Sequence, residues 1–147
     1  MTLEFLVHVA IAGFLATYCH LIAALWVKSI GLPRLDLSRA MADFTYGESF
    51  SEGPPYWAGQ FVICVNGIIF ALIYATLVAQ YLPGPPPLRG VLFGLLLFVF
   101  SGLLFEPIFV RKGFFLSKIG GRAWITALIV HVVWGLIVGW LSPVLGS

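Results

Sequence analysis

The stretch FLVHVAIAGFLATYCHLIAALWV, residues 5–27, decides the class of fold. It contains no Asp, Glu, Lys or Arg, and Lys28 follows it directly. A helix needs about 20 predominantly apolar residues to cross the hydrocarbon core of a bilayer. The stretch is too long for the apolar part of a signal peptide, and no basic residue precedes it. It therefore predicts a membrane-spanning helix.

Three more apolar runs follow, at about residues 56–81, 88–110 and 122–141. The 147-residue chain is 61% hydrophobic and only 10% charged, whereas about 25% of residues are charged in a soluble domain. None of the runs alternates polar with apolar residues as barrel strands do, and a helix satisfies its own backbone groups in lipid. We expect one all-α membrane domain over residues 1–147, a compact bundle of four transmembrane helices.

The basic residues predict how the bundle is oriented. Seven of the eight lie in the loops after the first and third helices. Basic residues in short loops near the ends of membrane spans stay on the cytoplasmic side. We therefore expect a multi-pass protein of the bacterial inner (cytoplasmic) membrane with both termini periplasmic. No basic patch lies outside these loops, so membrane lipids are expected partners and nucleic acid is not. The seven residues are Lys28, Arg34, Arg39, Arg111, Lys112, Lys118 and Arg122.

A short amphipathic helix is predicted at about residues 36–44, in the loop after the first span. Asp36 is a plausible N-cap, and the 4-then-3 spacing of Leu37, Met41 and Phe44 places them on one face. Such a helix lies in the headgroup layer with its charges in water. The alternative is a docking site for a partner subunit through the charged residues of this loop. These are Asp36, Arg39, Asp43, Glu48 and Glu52.

Rows of small residues at helical spacing predict which faces of the spans are buried. Small residues let helix backbones approach closely in lipid, where no hydrophobic force drives helices together. The rows hold these helix-packing residues: Gly13 and Thr17 in the first span, Gly67 in the second, Gly94 and Gly102 in the third, and Gly135 and Gly139 in the fourth.

Each span also carries one strongly polar residue in its cytoplasmic half, within or beside its row. These residues are His20, Asn66, Glu106 and His131. An ionisable side chain at membrane depth is costly and usually faces partners rather than lipid. We expect the four to converge, with Asn66 bonding an imidazole across helices and Glu106 either paired with a histidine or protonated.

Several roles are open for this cluster. It can act as interhelical glue, since such bonds fix which helix packs on which. It can form a proton or ion pathway, because imidazole titrates near neutral pH. His20 and His131 can ligate a b-type haem axially, or the helices can hold a quinone, carotenoid or lipid. Cys19 and Cys64 both fall within the membrane, which does not favour a disulfide, and they lack metal-site spacing with the histidines.

The segments GFLATYCHLIAALWVKSIGLPRLDL, NGIIFALIYA and HVVWGLIVGWL resemble small bacterial four-helix inner-membrane proteins catalogued as domains of unknown function. The shared motifs are Gly-x-x-Ala-Thr, Gly-Leu-Pro-(Arg/Lys)-x-Asp and His-x-x-x-Gly-x-x-x-Gly. The resemblance implies the fold and the location but brings no activity, and His20 departs from the pattern. The residues that carry it are Gly13, Ala16, Thr17, Gly31, Leu32, Pro33, Arg34, Asp36, His131, Gly135 and Gly139.

No enzyme signature occurs in the sequence: it has no phosphate-binding glycine loop, no His-Glu-x-x-His motif and no nucleophile elbow. We therefore expect a non-catalytic accessory subunit of a bacterial membrane complex, such as an electron-transfer or photosynthetic one. The alternatives are a small proton-coupled transporter or channel, and a membrane protein that binds b-type haem or quinone.

Overall fold

The computed structural model describes residues 1–47 and 55–146, and over these ranges it contains helices and no strand. Helix α1 is Leu3–Trp26, α2 is Leu37–Tyr46, α3 is Tyr56–Ile73, α4 is Pro86–Phe100 and α5 is Ala123–Leu141. Three of these helices continue in other helical forms. Helix α1 continues through a 3-10 turn at Val27–Ile30, and α4 continues through a π-helix at Ser101–Phe109. Helix α3 continues through a π-helical turn at Tyr74–Val78 and then a 3-10 turn at Ala79–Tyr81.

Four of these helical segments in the described ranges are long and apolar enough to cross a membrane. They are Leu3–Ile30, Tyr56–Tyr81, Pro86–Phe109 and Ala123–Leu141. The predicted all-α, multi-pass bundle is therefore confirmed. The first span begins earlier than predicted, at Leu3, because the Thr2 hydroxyl accepts a hydrogen bond from the Phe5 amide (3.2 Å) and caps α1 there. It ends later than predicted because the 3-10 turn Val27–Ile30 continues it.

The four spans are arranged in the order α3, α1, α5, α4. Helix α1 packs against both α3 and α5, and α4 packs against α5. One end of the bundle carries α2, and we call it the α2 end. The opposite end carries both chain termini and the loop at residues 82–85.

The most extensive helix contact joins α4 to α5 and includes four glycines. A Cβ atom at Gly90 would meet the Gly135 carbonyl oxygen and would lie 2.5 Å from the Gly139 Cα. At Gly94 it would meet the His131 carbonyl oxygen. Any larger residue at these points would have to push the two backbones apart.

Helices α1 and α3 are joined in the same way at Gly13 and Gly67. A Cβ atom at Gly13 would lie 2.9 Å from the Gly67 carbonyl oxygen, and one at Gly67 would meet the Thr17 hydroxyl. These contacts draw α3 onto α1 on one side of the bundle, while α4 is held to α5 on the other. Helices α3 and α4 approach each other mainly at the end opposite α2, where Tyr74–Val78 and Ala79–Tyr81 meet α4.

Helix α2 begins after Asp36 as predicted, because the Asp36 carboxylate accepts a hydrogen bond from the Arg39 amide (3.0 Å). Its buried face differs from the predicted one. Ser38, Met41 and Ala42 are buried, and α2 packs on α3 because Gly59 leaves no side chain between the two backbones.

Phe44, which was predicted to point down beside Leu37 and Met41, instead turns to the α4 side of the bundle. Its ring meets those of Phe105 and Phe109 edge-on, with centroids 5.5 Å and 5.6 Å away. Helix α2 thus spans from α3 to the extension of α4 and covers one end of the bundle.

The glycine contacts predict a specific loss of stability. Gly135→Ala should lower the free energy of unfolding by about 1–3 kcal/mol, because its Cβ would meet backbone atoms of Gly90 and Gly94 that cannot move aside. Equilibrium unfolding in mixed micelles measures the change. Gly121→Ala is the control, since its Cβ would point into open space. Equal stability of the two variants would contradict the close contact.

Candidate functional site

A cavity of about 540 Å³ lies toward the α2 end of the bundle, and all five helices contribute to its wall. His20, Asn66, Glu106 and His131 all line it. The four polar residues singled out from the sequence therefore face one space.

The two imidazoles lie next to each other across α1 and α5. The centroids of the His20 and His131 rings are 5.7 Å apart, with 47° between the ring planes. Nδ1 of His131 lies 2.7 Å from the Ala127 carbonyl oxygen of the preceding helical turn. Nε2 of His20 is buried and has no hydrogen-bond partner in the described part of the chain.

Glu106 is buried, with 5% of its surface exposed, where the π-helix Ser101–Phe109 passes the cavity. The Ser101 hydroxyl donates to its Oε1 atom (3.3 Å), and the Leu116 amide lies close to the carboxyl group but donates to the Gly113 carbonyl oxygen, so Oε2 is buried without a hydrogen bond of good geometry among residues 1–47 and 55–146. Pro107 lies within this π-helix, where its missing amide removes one backbone hydrogen bond. A π-helical turn is a frequent feature of functional sites.

The expected bonds between the spans' polar residues do not form within the described ranges. Glu106 bonds with Ser101 of its own helix rather than with a histidine, and His131 bonds with its own helix rather than with Asn66. The polar residues meet around an open space instead of pairing directly. Their unused donor and acceptor groups are therefore directed into the cavity, where a bound molecule could pair with them.

Three charged residues of the α2 segment, predicted as an interfacial or partner-facing set, line the same cavity. They are Asp36, Arg39 and Asp43, at its α2 end. Glu48 and Glu52, the other acidic residues of the predicted docking site, lie outside the described residues. The charged face of α2 thus borders the opening of the cavity as well as the surface of the bundle.

Trp134 and Thr17 form the floor of the cavity. The Trp134 indole N–H donates to the Thr17 hydroxyl (3.0 Å), which itself donates to the Gly13 carbonyl oxygen (2.8 Å). Below them lies an apolar cluster of buried side chains. This cluster fills the half of the bundle opposite α2 and includes Val9, Ala16, Tyr74, Phe93 and Val138. The polar lining therefore stops at Trp134.

The Thr17–Trp134 bond bears on the haem hypothesis. It joins α1 to α5 one helical turn from the His20–His131 pair. A porphyrin held between the two imidazoles would have to separate α1 from α5 at this level and break the bond. The Thr17–Trp134 bond therefore disfavours axial ligation of a haem by this pair.

The basic loop after α4 borders the cavity through Leu116, and Phe115 beside it packs behind the lining. Phe115 folds back into the bundle, where its ring occupies the space that a Cβ atom at Gly102 would need, and it packs on Phe98 at 5.2 Å. Phe98 in turn meets the His131 ring edge-on at 5.9 Å. Phe115 and Leu116 both adopt positive φ angles, which are unfavourable for such side chains. Gly102, predicted as a helix-packing residue, thus accommodates a loop side chain.

Three features in and around this site were not predicted from the sequence: the Thr17–Trp134 bond, the Ser101–Glu106 bond and the inserted Phe115. The sequence contained a signal for the Thr17–Trp134 bond. Thr17 lies three residues from His20, and Trp134 lies three residues from His131, so Thr17 and Trp134 are at matching depths in the membrane. For Phe115, the signal is an apolar run, Phe114–Leu116, among the basic residues of a loop.

A family model matches residues 4–147, and its description is "Family of unknown function (DUF6789)". The chain belongs to this family. The match confirms the predicted resemblance to a domain of unknown function, and its description states no activity. No curated protein and no solved structure matches the chain. The function must therefore be argued from the cavity.

The floor of the cavity can be tested by a double-mutant cycle on Thr17→Val and Trp134→Phe. The two changes should couple by about 0.6 kcal/mol, with about 1.7 kcal/mol as the upper end seen for such bonds in membranes. Equilibrium unfolding in micelles of the single and double variants gives the coupling.

Thr76→Val replaces Thr17→Val in the control cycle, because the Thr76 hydroxyl bonds only to its own helix at Leu72. That pair should be additive. Additivity in the Thr17 cycle as well would show that the floor is not held by this bond.

Proposed function

We propose that this protein binds a lipid-soluble molecule with a polar head group in the cavity between its four spans. The observation that supports this most is the pair of unsatisfied buried atoms, Nε2 of His20 and Oε2 of Glu106. A buried polar atom without a partner costs about 1–3 kcal/mol. A ligand that pairs with these atoms would remove that cost.

The proposed ligand reaches the cavity from the lipid. Side chains of both α3 and α4 line the cavity, among them Ile63, Phe70, Leu97 and Phe100. The two helices pack on each other mainly at the end opposite α2, so the gap between them faces the acyl chains. A molecule with a polar head and an apolar tail can place its head at the histidines and leave its tail in this gap.

The size and lining of the cavity suit such a molecule. Small-molecule sites have volumes of about 300–1,000 Å³ and apolar walls with a few polar groups. The cavity, at about 540 Å³, combines the aromatic rings of Phe70, Phe100 and Trp134 with its polar cluster. Among quinone, carotenoid and lipid, a quinone-type molecule combines a compact polar head with an apolar tail. A carotenoid lacks a compact polar head.

The ligand-binding role is compatible with the non-catalytic accessory subunit predicted from the sequence, and we propose that the protein serves a bacterial membrane complex in this way. The subunit role stays a prediction. Purification from the native membrane in a gentle detergent tests it: comigration with redox or photosynthetic proteins supports it, and isolation as a monomer or homodimer argues against it.

Proton-coupled transport has less support, because an apolar cluster fills the half of the bundle opposite α2.

The ligand-binding proposal predicts what copurifies with the protein. Organic extraction of the purified protein, followed by mass spectrometry, should yield a molecule with an oxygen-bearing head group in near-stoichiometric amount. Leu97→Trp, which fills the cavity, should lower the yield at least tenfold. Leu96→Trp is the matched control, because Leu96 faces outward and is 54% exposed. A yield no higher than that of bulk bilayer lipid from every variant would contradict the proposal.

We also propose that the α2 end is cytoplasmic and that both termini are periplasmic in a bacterial inner membrane. Seven basic residues lie at the α2 end and only Arg89 near the other. A membrane-impermeant maleimide should label Gln80→Cys in intact cells with a permeabilised outer membrane. Ser29→Cys should react only after lysis. The reverse pattern would contradict the proposed orientation, and both positions are exposed, so accessibility alone cannot explain it.

A further inference from the structure

Within the proposed ligand-binding function, the cavity carries information on the chemical class of the ligand. The polar atoms of the wall form a pattern of hydrogen-bond donors and acceptors. A ligand must place an acceptor opposite each donor and a donor opposite each acceptor. His131 is the group whose role the geometry determines.

Nδ1 of His131 lies 2.7 Å from the Ala127 carbonyl oxygen. A carbonyl oxygen can only accept a hydrogen bond, so Nδ1 must carry the proton. In a neutral imidazole the other nitrogen, Nε2, then has a lone pair and can only accept. The ring is neutral in this setting because no carboxylate forms an ion pair with it in the described ranges and an unpaired charge at membrane depth is costly.

The ring of His131 is held in place on two sides. The Ala127 bond fixes one edge, and the Phe98 ring meets it edge-on at 5.9 Å. A histidine oriented in this way presents its second nitrogen as a positioned acceptor, in the same way that metal-binding histidines are oriented by a bond from their other ring nitrogen. The ring lines the cavity, and its hydrogen bond to Ala127 uses only Nδ1, so Nε2 is left to a ligand.

We infer that the cavity selects a ligand with an aromatic hydroxyl group, such as a quinol or another phenol, whose O–H donates to Nε2 of His131. An oxidised quinone presents only carbonyl oxygens, which are acceptors, and two facing acceptors repel. Asn66 and Glu106 are available for further oxygens of the head group, because both line the same wall.

The rings around the polar cluster favour an aromatic ligand. Trp134, Phe70, Phe100 and Phe105 all line the cavity. Aromatic rings interact favourably with one another in offset or edge-on arrangements. A planar hydroxylated ring therefore matches both the acceptor and the walls, whereas the hydroxyl of an aliphatic alcohol would match only the acceptor.

The test uses three probes that differ only in the head group: a decyl-substituted benzoquinol kept reduced under anaerobic conditions, its dimethyl ether and the corresponding benzoquinone. Binding to the protein in phosphatidylcholine nanodiscs is measured by titration calorimetry. The wild type should bind the quinol about tenfold or more tightly than either other probe, because only the quinol satisfies the His131 acceptor.

His131→Phe keeps a ring but removes the acceptor, so it should lose most of the wild type's preference for the quinol over the ether. His131→Gln restores an acceptor oxygen and should recover part of the preference, which distinguishes a lost hydrogen bond from a collapsed cavity. His8→Phe is the matched control, since His8 is exposed and lies in the half of α1 away from the cavity. It should behave as the wild type.

The outcomes separate this inference from the function on which it rests. Equal binding of the three probes by the wild type, or tighter binding of the quinone, overturns the hydroxyl requirement and leaves the ligand-binding function in place. Binding of none of the three to either the wild type or His8→Phe overturns both. A preference for the quinol that His131→Phe retains overturns the role of His131.

Discussion

The contact of helix backbones at glycine residues is the constraint on which the rest of this structure depends. Gly90 and Gly94 of α4 meet Gly135 and Gly139 of α5 without any intervening side chain. Gly13 and Gly67 bring α1 and α3 together in the same manner. In lipid such packing replaces the hydrophobic effect as the force that joins helices. Because it draws the spans into two close pairs linked by α1 and α5, it leaves α3 and α4 apart toward the α2 end.

The cavity follows from that separation. Two paired helices that diverge toward one end enclose space, and here the α2 segment covers it through Gly59 on one side and Phe44 on the other. The loop after α4 closes a further gap with Phe115. Within this enclosure His20, Asn66, Glu106 and His131 line the cavity between the spans, whose side toward the lipid is the gap between α3 and α4. The polar residues are thus located where the packing residues leave room.

The fold was largely predictable from the sequence because lipid restricts what a chain can do. Four apolar runs near the length of a bilayer leave only helices as an option, and rows such as Gly135 and Gly139 identify their buried faces. The depths of His20 and His131 in the membrane could also be predicted, because the rise per residue is fixed in a helix. The spacing of residues could not reveal that these side chains surround a cavity, because bonding and open space give the same pattern.

The details that were not predicted depend on contacts between segments far apart in the chain. The face that α2 buries is decided by Gly59, about 20 residues later, and not by the spacing of Leu37, Met41 and Phe44. The Thr17–Trp134 bond joins two helices at opposite ends of the sequence. Phe115 enters the bundle through a loop with positive φ angles that local preferences would not select. In each case a tertiary contact outweighs the local pattern.

The central claim is that polar groups from separate spans meet inside the bundle and not at the lipid surface. Solid-state NMR of the protein in bilayers, with isotope-labelled histidine and His8→Gln to remove the third signal, tests it most directly. The centroid distance of 5.7 Å predicts a cross-peak between the His20 and His131 rings and none from either ring to acyl chains. Acyl-chain cross-peaks from both rings, without one between them, would contradict the account.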